Sequence, residues 1–173
     1  MVNQMTQTRA RDTGTDSLHL SVRIGGILHA IPIEFIEEIL PVLPVEPIAQ
    51  LPSFVRGIVF VRGHLIPILD GADRLGLPAC SSAHEPHLVC LNLQGRLIGL
   101  EIDEAIELIE LPRSGLVSMP ELGGTSRFLS AVMDYRGEIV RILNPSQLLL
   151  QEEASQLSRE FSTASPSLLS GAE

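Results

Sequence analysis

Apolar and polar residues alternate from the first patterned segment of the chain. Leu20, Val22 and Ile24 fall on one side of a strand and Ser21 and Arg23 on the other. Gly25-Gly26 follows as a two-residue turn, because both positions tolerate positive φ. A second apolar run through Leu28, Ala30 and Ile31 to Ile33 completes a hairpin. Residues Phe54 to Val61 and Leu65 to Leu69 predict another, closed at Arg62-Gly63. Gly and Pro interrupt the Val/Ile/Leu-rich middle every eight to twelve residues or so, the punctuation of short strands in a barrel or sandwich. The polar stretch 1–17 reads as a disordered leader, and 162–173 as a disordered tail. The segment Pro145–Phe161 predicts a C-terminal helix, with Leu148, Leu149, Leu150, Leu157 and Phe161 supplying an apolar face.

The pattern is used twice. Residues Leu20–Ile33 align with Val89–Ile102 without a gap, setting Gly26 on Gly95, Ile31 on Leu100 and Ser21 on Cys90. The stretch Phe54–Asp70 lies over Phe128–Asn144 at a spacing of 74, with five of its 17 positions identical. Asp70 and Asn144 are N-cap residues, and Pro145 suits a first helical position. The expected organisation is therefore unit one at about 18–76, a linker at 77–86, and unit two at about 87–150. Each unit alone leaves sheet edges and an apolar face uncovered, so the two share one core and form a single domain over 18–161.

Composition narrows the function. The chain of 173 residues carries a formal charge of −9, and its 12 basic residues are all arginine. An acidic balance argues against nucleic acid and against anionic membrane surfaces as partners. No run approaches the roughly 20 apolar residues of a spanning helix, and the N-terminal stretch lacks the apolar core of a signal peptide. With only Cys80 and Cys90, a disulfide framework is excluded and a cytoplasmic location is expected.

Candidate chemistry is sparse. Cys80, His84, His87 and Cys90 lie within eleven residues and offer soft ligands for zinc or a redox centre. Their spacing matches no common finger pattern, and Cys90 falls in a predicted strand. The acids Glu101, Asp103, Glu104, Glu107 and Glu110 interleave with Ile102, Ile106 and Ile109, which describes a solvated face better than a catalytic pair. With no phosphate loop and no nucleophile constellation, no cofactor and no catalysis are expected.

Several segments, in order, resemble the CheW-like domain family: Ala30–Ile39 (Ala-Ile-Pro-Ile-Glu-Phe-Ile-Glu-Glu-Ile), Pro52–Ile58, Val61–Asp70, and Arg96–Asp103 in the second unit. The resemblance covers about Leu18 to Leu150. It implies an all-β fold of two pseudo-symmetric five-stranded SH3-like barrels sharing an apolar core, with a short helix after each unit. It also implies a non-catalytic adaptor coupling chemoreceptor cytoplasmic tips to the regulatory domain of a CheA-type histidine kinase, recruited to receptor arrays at the inner membrane. The family's strand-end acid falls on Glu38 and its hairpin on Arg62-Gly63, whose acid and arginine pair across a partner surface. Gly57, Gly99 and Asp103 match further family positions, and Ile36 and Val61 are expected to contribute exposed apolar contacts beside the pair. The family's usual Asn-Leu-Arg-Gly is here Phe60-Val61-Arg62-Gly63, and Ala131 stands in unit two where unit one has Gly57.

Overall fold

The computed structural model describes residues 16–79, 85–121 and 126–168. Four hairpins dominate it. They pair β1 (Ser17–Ile24) with β2 (Ile27–Pro32), and β4 (Val55–Val61) with β5 (His64–Asp70). In the second unit they pair β6 (His87–Leu93) with β7 (Arg96–Ile102), and β10 (Leu129–Tyr135) with β11 (Glu138–Leu143). Between the hairpins of each unit runs a single strand, β3 (Ile36–Pro41) or β8 (Glu104–Leu111), and β9 (Val117–Ser118) adds two residues. All four hairpins close on the same two-residue turn with positive φ at both positions: Gly25-Gly26, Arg62-Gly63, Gln94-Gly95 and Arg136-Gly137. This turn matches the right-handed twist of the strands it joins.

The strands assemble into two sheets, ordered β8-β1-β2-β11-β10-β9 and β3-β6-β7-β5-β4. Each sheet takes its first hairpin from one sequence unit and its remaining strands from the other. In the first, β1–β2 is held between β8 and β11, with Ser21 opposite Glu107 and Ala30 opposite Ile142. In the second, β6–β7 is held between β3 and β5, with Cys90 opposite Glu38 and Gly99 opposite Ile68. The two repeats are thus interleaved, where the repeat pattern suggests one barrel after another.

Neither sheet closes into a barrel. The segment after β3 contains Pro44, Pro47 and Pro52, which have no N–H to give a ladder, and forms no strand of its own, only an isolated bridge from Glu46 to Ile58. Its counterpart after β8 passes through a 3-10 turn at Arg113–Gly115 before β9 joins β10.

Three apolar layers follow. The central one joins Leu20, Val22, Ile24 and Ile31 of the first sheet to Leu69, Val89, Leu91 and Leu100 of the second. The curl of each sheet encloses a smaller cluster, around Ala30, Ile109 and Val140 in the first and Val59, Ile66 and Leu88 in the second. Among the described polar residues His29 is 2% exposed, and burial holds its imidazole down at about 4. It is therefore neutral at pH 7, with its Nδ1–H donated to the Ile27 carbonyl.

The helices differ from the sequence expectation at their ends. Asp70 caps α1 (Gly71–Leu75), its carboxylate accepting from the Asp73 N–H at 3.0 Å. Asn144 makes no such cap, and Pro145 opens a 3-10 turn, Pro145–Gln147. Leu148 and Leu149 are drawn into the core, and α2 starts later, at Gln151, where Glu153 accepts from the Leu150 N–H at 2.8 Å. That helix continues to Leu168, beyond Phe161. Ser17, read as the end of the leader, pairs with Leu111 as the first residue of β1. Residues 1–15, 80–84 and 169–173, which hold the rest of the expected leader, linker and tail, lie outside the described residues.

Candidate functional site

Arg62 occupies the first position of the β4–β5 turn with φ at +49°, a left-handed backbone that favours Gly or Asn over a long side chain. Its guanidinium reaches the Glu38 carboxylate at 2.9 Å. Arg62 is 77% exposed and Glu38 25%, so the pair is a surface feature worth about 0–1 kcal/mol to the fold.

Register explains why the family-matched positions belong together. Glu38, Cys90, Gly99, Ile68 and Gly57 form one row across all five strands of the second sheet. At Gly99 a Cβ would meet the terminal methyl of the Ile68 side chain, which would have to turn aside. At Gly57 φ is +147°, and a Cβ would be driven into the Glu46 carbonyl oxygen. Gly57 therefore sets how closely the Glu46 backbone approaches the row. Gly57→Ala is expected to lower stability by about 2 kcal/mol, read as a melting temperature roughly 4–8 °C lower. The existing Ala131 in the equivalent place of the first sheet provides the tolerated comparison.

The remaining expected residues are placed differently. A bulge between Ile36 and Glu38 sets Ile36 opposite Leu91, and Ile36 packs half-buried on the central core. Val61 is half-buried against the cluster inside the second sheet. The exposed apolar side chains of this hairpin are instead the cross-strand neighbours Phe60 (71%) and Leu65 (40%). Asp103 does not join the pair: its carboxylate accepts from the Gly26 N–H at 2.8 Å and its N–H donates to the Arg23 carbonyl, tying β7 to the β1–β2 turn.

The same device occurs a second time. In the first sheet the row reads Glu107, Ser21, Ala30, Ile142, Ala131, and Arg136 of the β10–β11 turn meets Glu107 at 3.3 Å. The spacing of 74 that sets Arg136 on Arg62, with the match of Ser21 to Cys90, is the sequence signal for it.

Of the four candidate cysteine and histidine ligands, the two that are described do not come together. Cys80 and His84 lie outside the described residues, and no group of three metal-ligating side chains occurs among the described ones. His87 and Cys90, three residues apart on β6, project from opposite faces of the sheet. Burial and the Glu38 carboxylate push the Cys90 thiol upward against the pull of Arg62, away from the thiolate that metal binding needs. Of the strand-borne acids, Glu101 shares a cation with Asp70. Arg56 binds Asp70 at 2.8 Å and Glu101 at 2.9 Å, and burial raises Glu101 despite that cation.

The sequence profile of the CheW-like domain matches residues 18–153. The chain belongs to the CheW-like domain family. The chemotaxis protein CheW of Rhizobium meliloti is 21% identical over 136 residues, covering 78% of this chain and 88% of the relative. The CheW of Treponema pallidum is 26% identical over 144 residues, covering 80% and 85%. The protein FrzA of Myxococcus xanthus is 27% identical over 131 residues, covering 73% and 81%. Among solved structures, the scaffolding protein TtCheW from Thermoanaerobacter tengcongensis superposes with a TM-score of 0.70 at 18% identity, covering 78% of this chain and 92% of that one. As a CheW-like protein, the chain is a coupling adaptor of chemotaxis-type signalling, and the two-sheet architecture is that of the family. Among the described residues no helix is long and apolar enough to cross a membrane.

Proposed function

We propose that this CheW-like chain works without catalysis, holding a chemoreceptor cytoplasmic tip against the regulatory domain of a CheA-type histidine kinase at receptor arrays on the inner membrane. The body that does so spans about residues 18–161. The observation that carries the reading is the Arg62–Glu38 pair, an exposed cation held over a fixed row in the second sheet. Glu107–Arg136 gives the opposite sheet a similar feature, so a rigid body presents two related ends. Two surfaces on one body raise the effective concentration of one partner at the other, and the effect depends on their relative geometry.

Charge reversal tests the pair. Arg62→Glu and Glu38→Arg should each keep a near-native melting temperature yet bind the kinase regulatory domain or the receptor tip at least about tenfold more weakly. The double variant should recover part of the loss, because the attraction returns with its order exchanged. Arg62→Asn separates side chain from turn: Asn-Gly suits this turn better than Arg-Gly, so the fold should be kept while binding falls. Titration calorimetry with both purified partners reads the outcome. Wild-type affinity in all three single variants would place the interaction surface elsewhere.

A further inference from the structure

The packing of α2 on the second sheet leaves a groove at the margin of the central core, apart from the Arg62–Glu38 pair. A cavity of about 290 Å³ lies between the helix and the β5 and β7 strands, with Leu65, Leu97, Leu149 and Leu157 among its walls. A second hollow of about 230 Å³ adjoins it on the far side of Arg96 and Leu149, lined mainly by Gln94, Ser146, Gln147 and Gln151. Beyond Leu65 the apolar surface continues onto its cross-strand neighbour Phe60, the most exposed large apolar side chain among the described residues.

The charge of this groove is opposite to that of the chain. Arg96 lines both hollows and His64 lines the first, and neither side chain has an ion pair or hydrogen bond among the described residues. By contrast Arg23, Arg56, Arg62, Arg74, Arg127 and Arg136 all sit beside carboxylates. The carboxylates Glu152, Glu153 and Glu160 of α2 border a separate depression. A half-buried, unpaired guanidinium on an apolar wall, in a protein of net charge −9, matches a ligand that brings its own carboxylate.

We propose that this groove docks an acidic, leucine-rich peptide segment of a partner protein. An aliphatic side chain would enter between Leu65 and Leu157, a neighbouring Asp or Glu would pair with Arg96, and the glutamine-lined hollow would take the peptide's backbone polar groups. The surface is distinct from the Arg62–Glu38 pair, so the two can be tested separately.

The probe is a short fluorescein-labelled peptide of alternating leucine and glutamate pairs, titrated into the full chain by fluorescence anisotropy, with amide chemical shifts mapping its site. A second peptide carries lysine for every glutamate, and laurate serves as a non-peptide carboxylate. The glutamate peptide should bind in a salt-sensitive manner and shift Leu65, Arg96, Leu97 and Leu157, while the lysine peptide should not. Arg96→Glu should weaken the glutamate peptide about tenfold or more and Phe60→Ser should weaken it less, both with unchanged melting temperatures. Arg96→Gln provides the same test without a reversed charge. Equal binding of the two peptides, full affinity in the Arg96 variants, shifts confined to other surfaces, or laurate shifting these residues where the glutamate peptide does not, would each overturn the proposal.

Discussion

Residues 1–86 expressed alone should give an unfolded or aggregated product, as should residues 87–173, while co-expression of the two restores a soluble, cooperatively melting complex. The reason is strand order. Unit one contributes β3, β4 and β5 to the second sheet, but β6 and β7 stand between β3 and β5 there. Without them β3 has no neighbour, and β4–β5 is an isolated hairpin, which is marginal in water. The other sheet keeps only β1–β2. The faces formed by Leu20, Val22, Ile24 and Ile31 and by Leu69 then meet solvent instead of the central layer. Circular dichroism and thermal unfolding of each fragment, alone and together, read the result. A fragment that melts cooperatively by itself would contradict the interleaved arrangement.

Arg74→Ala should be the most damaging single substitution on the helices, costing about 2–5 kcal/mol because it removes a large buried side chain together with its hydrogen bond, ion pair and ring contacts. Arg74 is 8% exposed, its Nε–H donates to the Leu148 carbonyl at 2.7 Å, and its guanidinium pairs with Glu153. It also lies 3.9 Å from the ring centroid of Phe54 and 5.1 Å from that of Phe128, the equivalent residue of the other repeat. One side chain thus ties together both units and the start of α2. A melting temperature lower by about 10 °C is expected for Arg74→Ala, and a smaller loss for Arg74→Met combined with Glu153→Gln, which removes both charges.

The pH dependence has a definite sign. Burial works to raise the Glu153 carboxyl, but hydrogen bonds from Arg74 and the Leu150 N–H, with the nearby arginine charges, hold it below its usual 4.5. A depressed carboxylate stabilises the fold above its unfolded value, and that contribution is lost as pH falls through the folded one. Acid unfolding below about pH 4.5 should therefore show a component in the wild type that the Arg74→Met/Glu153→Gln variant lacks.

The repeat made most of this legible in advance. Alternation located the hairpins, the Arg-Gly and Gly-Gly pairs located three of their turns, and the family match set Glu38 beside Arg62. What it left open is physical in each case. A repeat shows that two hairpins are alike, yet pairing across about ninety residues is decided by the shared core, so the exchange of strands between units was not visible. Ile36 is expected as an exposed contact beside Glu38, and the bulge between the two in β3 sets it half-buried on the core instead. Nothing in the sequence marks Arg74. Its burial depends on Phe54, Phe128 and Glu153, which converge only in three dimensions.

Interleaving also governs when the fold can form during synthesis. Ser17 pairs with Leu111, 94 positions later, so β1 leaves the ribosome long before its outer neighbour exists. At about 5–20 residues per second, β1 waits on the order of 5–20 s for that neighbour to be made. The second sheet can assemble once β7 has emerged, whereas the first needs β11, whose last residue is Leu143. Until the second sheet forms, the apolar faces of β1 and β2 are shielded only by their own hairpin, and the face carrying Leu28 and Ala30 stays open until β11 is made. Chaperone demand in the cell therefore falls on the nascent first half, and a slowed ribosome before Leu143 would lengthen the exposure.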